Sequence, residues 1–296
     1  MSFRLEMLQV ARLAPQLLGD AAELVRGFIR SQALACGAWP DRDGRPDLYY
    51  TVFGMESLLA LHTEPDWGRL APWLADFGDG DGLDFIHLCC LARCWSAVPD
   101  NFARLPDETR TALLDRITTY RSPDGGFNQR RSALRCSAYG CLLGWAAHYD
   151  LRAPLPSAET LTTCLAALAV PAGGYANEPG LTHGTLPATA AAVALHRHIR
   201  RTPPAGTGEW LLAQQHPGGG FLAAPGSPIP DLLSTAVALH ALDGMQVSFA
   251  ACKDSLLDFT DSLWSADGGF HGNWTDDTLD VEYTYYGLLA LGHLAL

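Results

Sequence analysis

The sequence predicts an all-α protein, an (α/α)6 barrel or toroid of six inner and six outer helices, and three observations predict it. A Gly-Gly-aromatic triplet recurs as Gly125-Gly126-Phe127, Gly173-Gly174-Tyr175, Gly219-Gly220-Phe221 and Gly268-Gly269-Phe270. Each triplet is followed by a Pro- or polar-rich loop and then a very apolar stretch of helical length. The final stretch, ending Gly-Leu-Leu-Ala-Leu-Gly-His-Leu-Ala-Leu, is as apolar as those in mid-chain, whereas an open solenoid needs polar-faced end repeats. Closure into a ring buries that last helix.

Met1 to Leu24 carries Arg4, Glu6, Arg12 and Asp20 inside an amphipathic pattern, with no apolar core of the kind a signal peptide requires. Gly37-Ala38-Trp39 is a degraded copy of the triplet, and the glycine-rich Asp79–Asp84 falls between it and Gly125. Six helical-hairpin repeats thus fill residues 1–296 as one domain. Apolar inner helices are expected over Asp47–His62, Asp84–Ala97, Leu186–His198, Asp231–Leu242 and Asp280–Leu296. Helices of three- and four-residue apolar spacing, such as Asp107–Arg121 and Ser248–Trp264, lie between them as the outer layer. The glycines suit helix C-termini that need positive φ, and the aromatic after them can wedge between neighbouring helices. Asp47, Asp84, Asp231 and Asp280 stand at helix starts, where a carboxylate caps free amides and meets the positive end of the dipole.

Apolar residues make up 48% of the chain and charged residues 18%, enough for a large core. Acids outnumber bases 32 to 20, for a formal charge of −12, and Lys253 is the only lysine. No basic stretch can track a phosphate backbone or an anionic membrane, so nucleic-acid and membrane-surface binding are not expected. No run reaches the roughly 18 apolar residues that span a bilayer. The eight cysteines lie mostly in apolar segments and never as Cys-x-x-Cys, which reads as buried thiols and a cytoplasmic location.

Gly-Gly-Phe/Tyr loops feeding apolar helices at this period resemble the prenyltransferase and squalene-cyclase repeat family, which includes protein prenyltransferase β subunits and terpene-cyclase barrels. The likeness covers essentially the whole chain. It is closest at Leu232-Leu-Ser-Thr-Ala-Val-Ala-Leu and at Asp280-Val-Glu-Tyr-Thr-Tyr-Tyr-Gly-Leu-Leu-Ala-Leu-Gly. It implies that the apolar helices line a cavity whose mouth lies at their N-termini. The family's zinc position matching Asp231 is kept, but its Cys and His positions are Leu233 and Tyr283, and leucine offers no donor. Its diphosphate-gripping Arg and Lys are Pro225 and Pro228, and its tyrosine is Ser234. No zinc cofactor is therefore expected, and magnesium is left open. The acidic motif of class II terpene cyclases has only Trp274-Thr-Asp276-Asp277 as a counterpart, placed in the loop before the last inner helix. A second barrel, as in triterpene cyclases, has no room in this length.

Asp47-Leu-Tyr-Tyr50-Thr-Val-Phe53-Gly and Asp280-Val-Glu-Tyr283-Thr-Tyr-Tyr286-Gly are two copies of one motif, in repeats that a closed ring makes neighbours. Carboxylates beside aromatics facing an apolar cavity have raised pKa values and can act as general acids. Asp47, Asp231, Asp280 and Glu282 are the candidate catalytic acids. Tyr50, Phe53, His87, Tyr139, Trp274, Tyr283 and Tyr286 are the candidate cavity lining, where aromatic faces can stabilise a carbocation. The plainer reading has the aspartates as caps and the aromatics as the ring-closing seam. Three further groups each admit a site or a structural role. They are Asp79, Asp81 and Asp84 as a Mg²⁺ or Ca²⁺ set, Cys90 and Cys94 with His87 as metal ligands, and Arg130, Arg131 and Arg135 as an anion site. His183 can stand in for a diphosphate-binding histidine of the family, whose own position is Thr185. The function expected is acid-initiated, metal-independent cyclisation or rearrangement of an isoprenoid. The alternatives are a non-catalytic toroid that holds a lipid or partner chain, and a divergent prenyltransferase. Because prenyltransferase β subunits pair with an α subunit, the resemblance also admits a protein partner or homo-oligomer.

Overall fold

A computed structural model of the chain describes residues 2–296. The chain opens with α1 (Phe3–Ala11), α2 (Pro15–Leu18) and α3 (Ala21–Gln32), then alternates inner and outer helices. The alternation runs α4 (Leu48–Ala60), α5 (Trp67–Ala75), α6 (Phe85–Ala97), α7 (Asp107–Thr118), α8 (Ala138–Asp150) and α9 (Ala158–Leu168). It ends with α10 (Leu186–His198), α11 (Thr207–Leu212), α12 (Leu232–Gly244), α13 (Lys253–Ser262) and α14 (Val281–Leu294). The even-numbered helices from α4 to α14 pack each on the next, and α14 packs back on α4, so the ring closes. Helices α3, α5, α7, α9, α11 and α13 lean on its outside.

Two features differ from the expectation. The segment expected as one helix over Ser248–Trp264 is a 3₁₀ turn, Ala250–Cys252, running into α13. The N-terminal pattern yields α1 as a thirteenth long element. Ser2 caps it, accepting from Leu5 N at 3.1 Å, and its apolar face packs on α14 and α4. Phe3 and Met7 thereby enter the centre of the ring, and Phe3 meets the His198 and His240 rings edge-on.

The repeat glycines sit in tight turns just beyond the outer helices rather than at the helix ends themselves. Each turn is closed by a bridge between its first strand residue and the triplet aromatic: Arg121 with Phe127, Ala169 with Tyr175, Gln215 with Phe221, Trp264 with Phe270. Gly125, Gly173, Gly219 and Gly268 all have φ between 86° and 97°, which a side chain rarely adopts. The aromatics do wedge inward: Phe127, Tyr175, Phe221 and Phe270 are at most 2% exposed. Three of their amides donate to a threonine on the next inner helix, Tyr175 to Thr189 (2.8 Å), Phe221 to Thr235 (2.9 Å) and Phe270 to Thr284 (3.3 Å). Trp39 N uses Thr51 in the same way at 3.0 Å. The rings then land on a residue too small to obstruct them. A Cβ added at Gly54, Gly144 or Gly287 would overlap Trp39, Phe127 or Phe270.

Candidate active site

Helix capping sets the rim. Asp47, Asp84, Ser137, Asp231 and Asp280 each accept a hydrogen bond from the amide three residues on, and Thr185 occupies the corresponding place before α10. All six inner helices therefore begin in register, and residues at equal distances beyond the caps form layers. Two residues after each cap stand Tyr49, Ile86, Tyr139, Pro187, Leu233 and Glu282. Six after each cap stand Phe53, Cys90, Leu143, Ala191, Val237 and Tyr286. Nine after each cap, the third layer includes Glu56, Arg93, Ala194 and His240.

These layers enclose a central chamber of about 430 Å³, within the usual range for a small-molecule site. All six inner helices line it. Phe53, Tyr139 and Tyr286 lie in its wall as the sequence predicts, with Tyr49 beside them. Tyr49 meets Phe53 edge-on at 4.9 Å, and Phe53 meets Tyr286 at 5.4 Å. Opposite this aromatic wall, α10 presents Ala188, Ala190, Ala191 and Ala194. Phe3, Met7 and His240 fill the far end.

Glu282 is the one acid in its layer. It is 9% exposed, and its Oε1 accepts from Tyr49 Oη at 2.5 Å. Burial pushes its pKa up to about 7, against the Tyr49 hydrogen bond, which lowers it. Burial also holds Tyr49 far above an ordinary phenol, so it stays a neutral O–H. The pair bridges α4 and α14 across the seam where the ring closes.

The three aspartates are structural caps as well as acids. Burial raises Asp231, whose carboxylate is taken up by Ser234 N and Oγ at 2.7 Å each. Burial also raises Asp280, although Arg42 binds it at 2.9 Å and opposes the shift. Asp47 departs from the expectation. Burial pushes it upward, but hydrogen bonds from His87 and the Tyr50 amide prevail, so its pKa falls below the ordinary carboxylate value. An acid so held is a poor proton donor.

Four residues expected in the lining are elsewhere. Tyr50 faces a separate cleft with Arg42 and Asp280, because one helical step from Tyr49 turns it about 100° away. Tyr283, one step past Glu282, packs on Gly272 beneath the Arg42 guanidinium. Trp274 is 43% exposed on the outside, its indole N–H on Ser262 Oγ and its ring on Phe259 and His216. His87 is a rim clasp. Its Nδ1 and Nε2 lie 2.8 and 3.0 Å from Asp84 and Asp47, and those hydrogen bonds raise its pKa to about 9 despite burial.

The remaining candidates are likewise engaged. Asp79 and Asp81 both bind Arg116, at 2.9 and 2.8 Å, so they do not converge with Asp84 on a cation. Cys90 and Cys94 form no metal-ligand group with His87, and burial raises both thiols. Arg130 pairs with Glu178, and Arg131 lies over the Tyr120 ring, which disperses the arginine cluster. His183 is exposed on Thr182 Oγ1. At the family's zinc position, Asp231 is surrounded by Ser234, Leu233 and Tyr283 and has no second metal donor, so these residues do not fit zinc.

The sequence reading passed over a polar group in the third layer. Glu56 is fully buried, 3.2 Å from Arg4 Nη1 and 3.6 Å from Arg93 Nε. Arg93 borders the chamber, and its Nη2 is buried without a hydrogen-bond partner among the described residues.

Residues 190–295 match the family model of the prenyltransferase alpha-alpha toroid domain. The chain is 29% identical over 249 residues to drimenyl diphosphate synthase of Streptantibioticus cattleyicolor, aligning 79% of its own length but spanning only 45% of that protein. Its fold is similar to type II terpene cyclase MstE from Scytonema, with a TM-score of 0.61 and 12% identity over 95% of this chain and 97% of that one. Protein geranylgeranyltransferase-I of Candida albicans, complexed with GGPP, is similar at a TM-score of 0.50 and 16% identity, over 97% and 83% of the two chains. No helix among the described residues is long and apolar enough to cross a membrane.

Proposed function

We infer that this chain, a member of the prenyltransferase alpha-alpha toroid family, protonates an isoprenoid in its central chamber and guides the resulting carbocation to a cyclised or rearranged product. The observation that carries this reading is the buried Tyr49–Glu282 pair, an acid of pKa about 7 hydrogen-bonded to a neutral phenol in the chamber wall. Protonated Glu282 donates to Tyr49 Oη while the Tyr49 hydroxyl hydrogen passes to one carbon of a substrate alkene. The alkene's π pair forms the new C–H bond, the other carbon becomes cationic, and Glu282 is left as carboxylate. Loss of a proton from the cation ends the reaction and restores the balance. Phe53, Tyr139 and Tyr286 offer ring faces to the cation, each contributing about 0.5–2 kcal/mol. The apolar walls keep out water that would quench it.

Arg93 supports the same assignment. Its unpartnered Nη2 at the chamber wall suits a polar or anionic group on the substrate, leaving the hydrocarbon along the α10 alanines. The drimenyl diphosphate synthase relative and the geranylgeranyl ligands of the structural neighbours support an isoprenoid as the substrate class. Transfer of a prenyl group through zinc is disfavoured by the donor set around Asp231. The test is product analysis by gas chromatography and mass spectrometry after incubating the protein with prenyl diphosphates and prenylated aromatic acids. Conversion by the wild type and its loss in Glu282→Gln is the expected result; undiminished conversion in the variant removes the assignment.

A further inference from the structure

The third repeat breaks the pattern of the others at one point. Where Tyr175, Phe221 and Phe270 donate their amides to a threonine, Phe127 N points at Cys141 Sγ, 3.4 Å away. The second glycine of the other triplets packs against an aromatic of the next outer helix: Gly174 on Trp210, Gly220 on Phe259, Gly269 on Phe28. Gly126 has Cys164 in that place, with Cys136 alongside. A Cβ at Gly126 would lie 2.5 Å from Cys136 Cβ, 2.8 Å from Cys141 Sγ and 2.9 Å from Cys164 Sγ. Two usual partners, a threonine and a large ring, have been exchanged for cysteine at once, and a third cysteine completes the set.

The three sulfurs lie within 4.8 Å of one another, and the residues are at most 2% exposed. Tetrahedral zinc thiolates have Zn–S bonds of about 2.3 Å, which places sulfurs about 3.8 Å apart, so closing the trio on an ion takes a movement of at most about 1 Å. From this geometry we propose that Cys136, Cys141 and Cys164 hold a soft d10 divalent cation, zinc by chemistry, as a structural site in the wall of the third repeat. Thiolate donors select such ions over magnesium or calcium. The Phe127 amide supplies an N–H···S contact to one ligand, of the kind that steadies metal-bound thiolates. Backbone oxygens beside the trio are the Asp124 carbonyl, 3.6 Å from Cys164 Sγ, and the Phe127 carbonyl, 3.9 Å from Cys141 Sγ; the Asp124 carboxylate is occupied by Ser122 Oγ and the Cys136 amide. The site stands apart from the chamber and does not depend on the chemistry proposed there.

Cobalt(II) reports tetrahedral thiolate ligation directly. Titrating the reduced full-length protein with Co²⁺ should give a sulfur-to-metal charge-transfer band and intense visible absorption that saturate at one ion per chain, and equimolar Zn²⁺ should bleach both. Cys141→Thr supplies the residue that the other repeats carry, so circular dichroism should find it folded while the bands disappear. Cys36→Ser and Cys252→Ser, at cysteines outside the trio, should retain them. A wild type with no thiolate band overturns the proposal, as does a band that survives in folded Cys141→Thr. Should Cys141→Thr fail to fold, the wild-type titration and its zinc competition decide alone.

Discussion

Replacing Glu282 by glutamine keeps the side chain's size and its contact with Tyr49 but removes the proton. With a pKa of about 7, Glu282 is half protonated at neutral pH, and its acid form falls about tenfold for each further pH unit. Turnover by the wild type should therefore be level below about pH 6 and decline with that slope above about pH 7. General-acid catalysis contributes about 10²- to 10⁴-fold, or roughly 3–5 kcal/mol of barrier, and Glu282→Gln should lose that much with KM little changed. The same shift acts on stability. A carboxyl whose ordinary value is 4.5 and whose folded value is about 7 binds its proton more tightly when folded. Its stabilising contribution is complete below about pH 4.5 and is lost as pH rises through about 7, nominally about 3 kcal/mol. Glu282→Gln should flatten that part of the urea-unfolding profile. Rate and stability are thus expected to change over one pH interval and to lose the change together. If Glu282→Gln retains wild-type turnover with the same alkaline decline, the proton comes from another group and the mechanism falls.

Arg93→Met should raise KM about tenfold or more for substrates with a polar head while leaving the kcat of an all-hydrocarbon analogue nearly intact, which steady-state kinetics on the two substrates can separate. His87→Asn should remove the rim clasp. The wild type's clasp contribution is full below about pH 6.5 and lost as pH rises through about 9; partial exposure limits it to about 1–2 kcal/mol, read from urea midpoints across that range. Gly54→Ala, whose methyl would overlap the Trp39 ring, should cost about 1–3 kcal/mol less about 1 kcal/mol of helix propensity. Gly27→Ala in α3, where nothing lies within 4 Å, should instead raise Tm by the propensity term alone.

The ring was legible because repetition and hydrophobicity are both linear in sequence. Four triplets and five apolar stretches set the period, which leaves room for a sixth inner helix, found as α8, and an apolar last stretch specifies that the first must cover it. The capping aspartates were legible for a similar reason, since a cap is decided by the backbone amides next to it. Helix phase was the missing element in the site. Tyr50 and Tyr283 were chosen as equivalents within a shared motif, yet a motif fixes equivalence between helices and not which face turns inward. Counting by four, Tyr49 with Phe53 and Glu282 with Tyr286 make the two facing stripes; Tyr49, Phe53 and Tyr286 line the chamber, and Glu282 reaches it through its hydrogen bond with Tyr49. Glu56 and Arg93 lie nine residues beyond their caps, Arg93 in the chamber wall and Glu56 buried beside it, where their charges read as interruptions of apolar helices. Their partner Arg4 comes from α1, an element outside the repeat, and no periodicity could have joined them.

Departures from the repeat are more informative than the repeat itself. Threonine beneath Trp39, Tyr175, Phe221 and Phe270, and glycine beneath several of the rings, recur because the units solve the same packing problem, and so they say nothing about chemistry. Chemistry begins where one unit gives up the common solution at some cost. A carboxylate in place of tyrosine or leucine two residues past the cap costs desolvation, visible in the raised pKa of Glu282, and its hydrogen bond to Tyr49, with the Arg42 charge, offsets part of it. Three cysteines around Gly126 replace a ring and a hydroxyl with smaller, weaker partners. Both substitutions weaken the scaffold locally. One adjoins the chamber through Tyr49 and the other lies in the wall of a single repeat, so the two sites can be altered and tested independently on one fold.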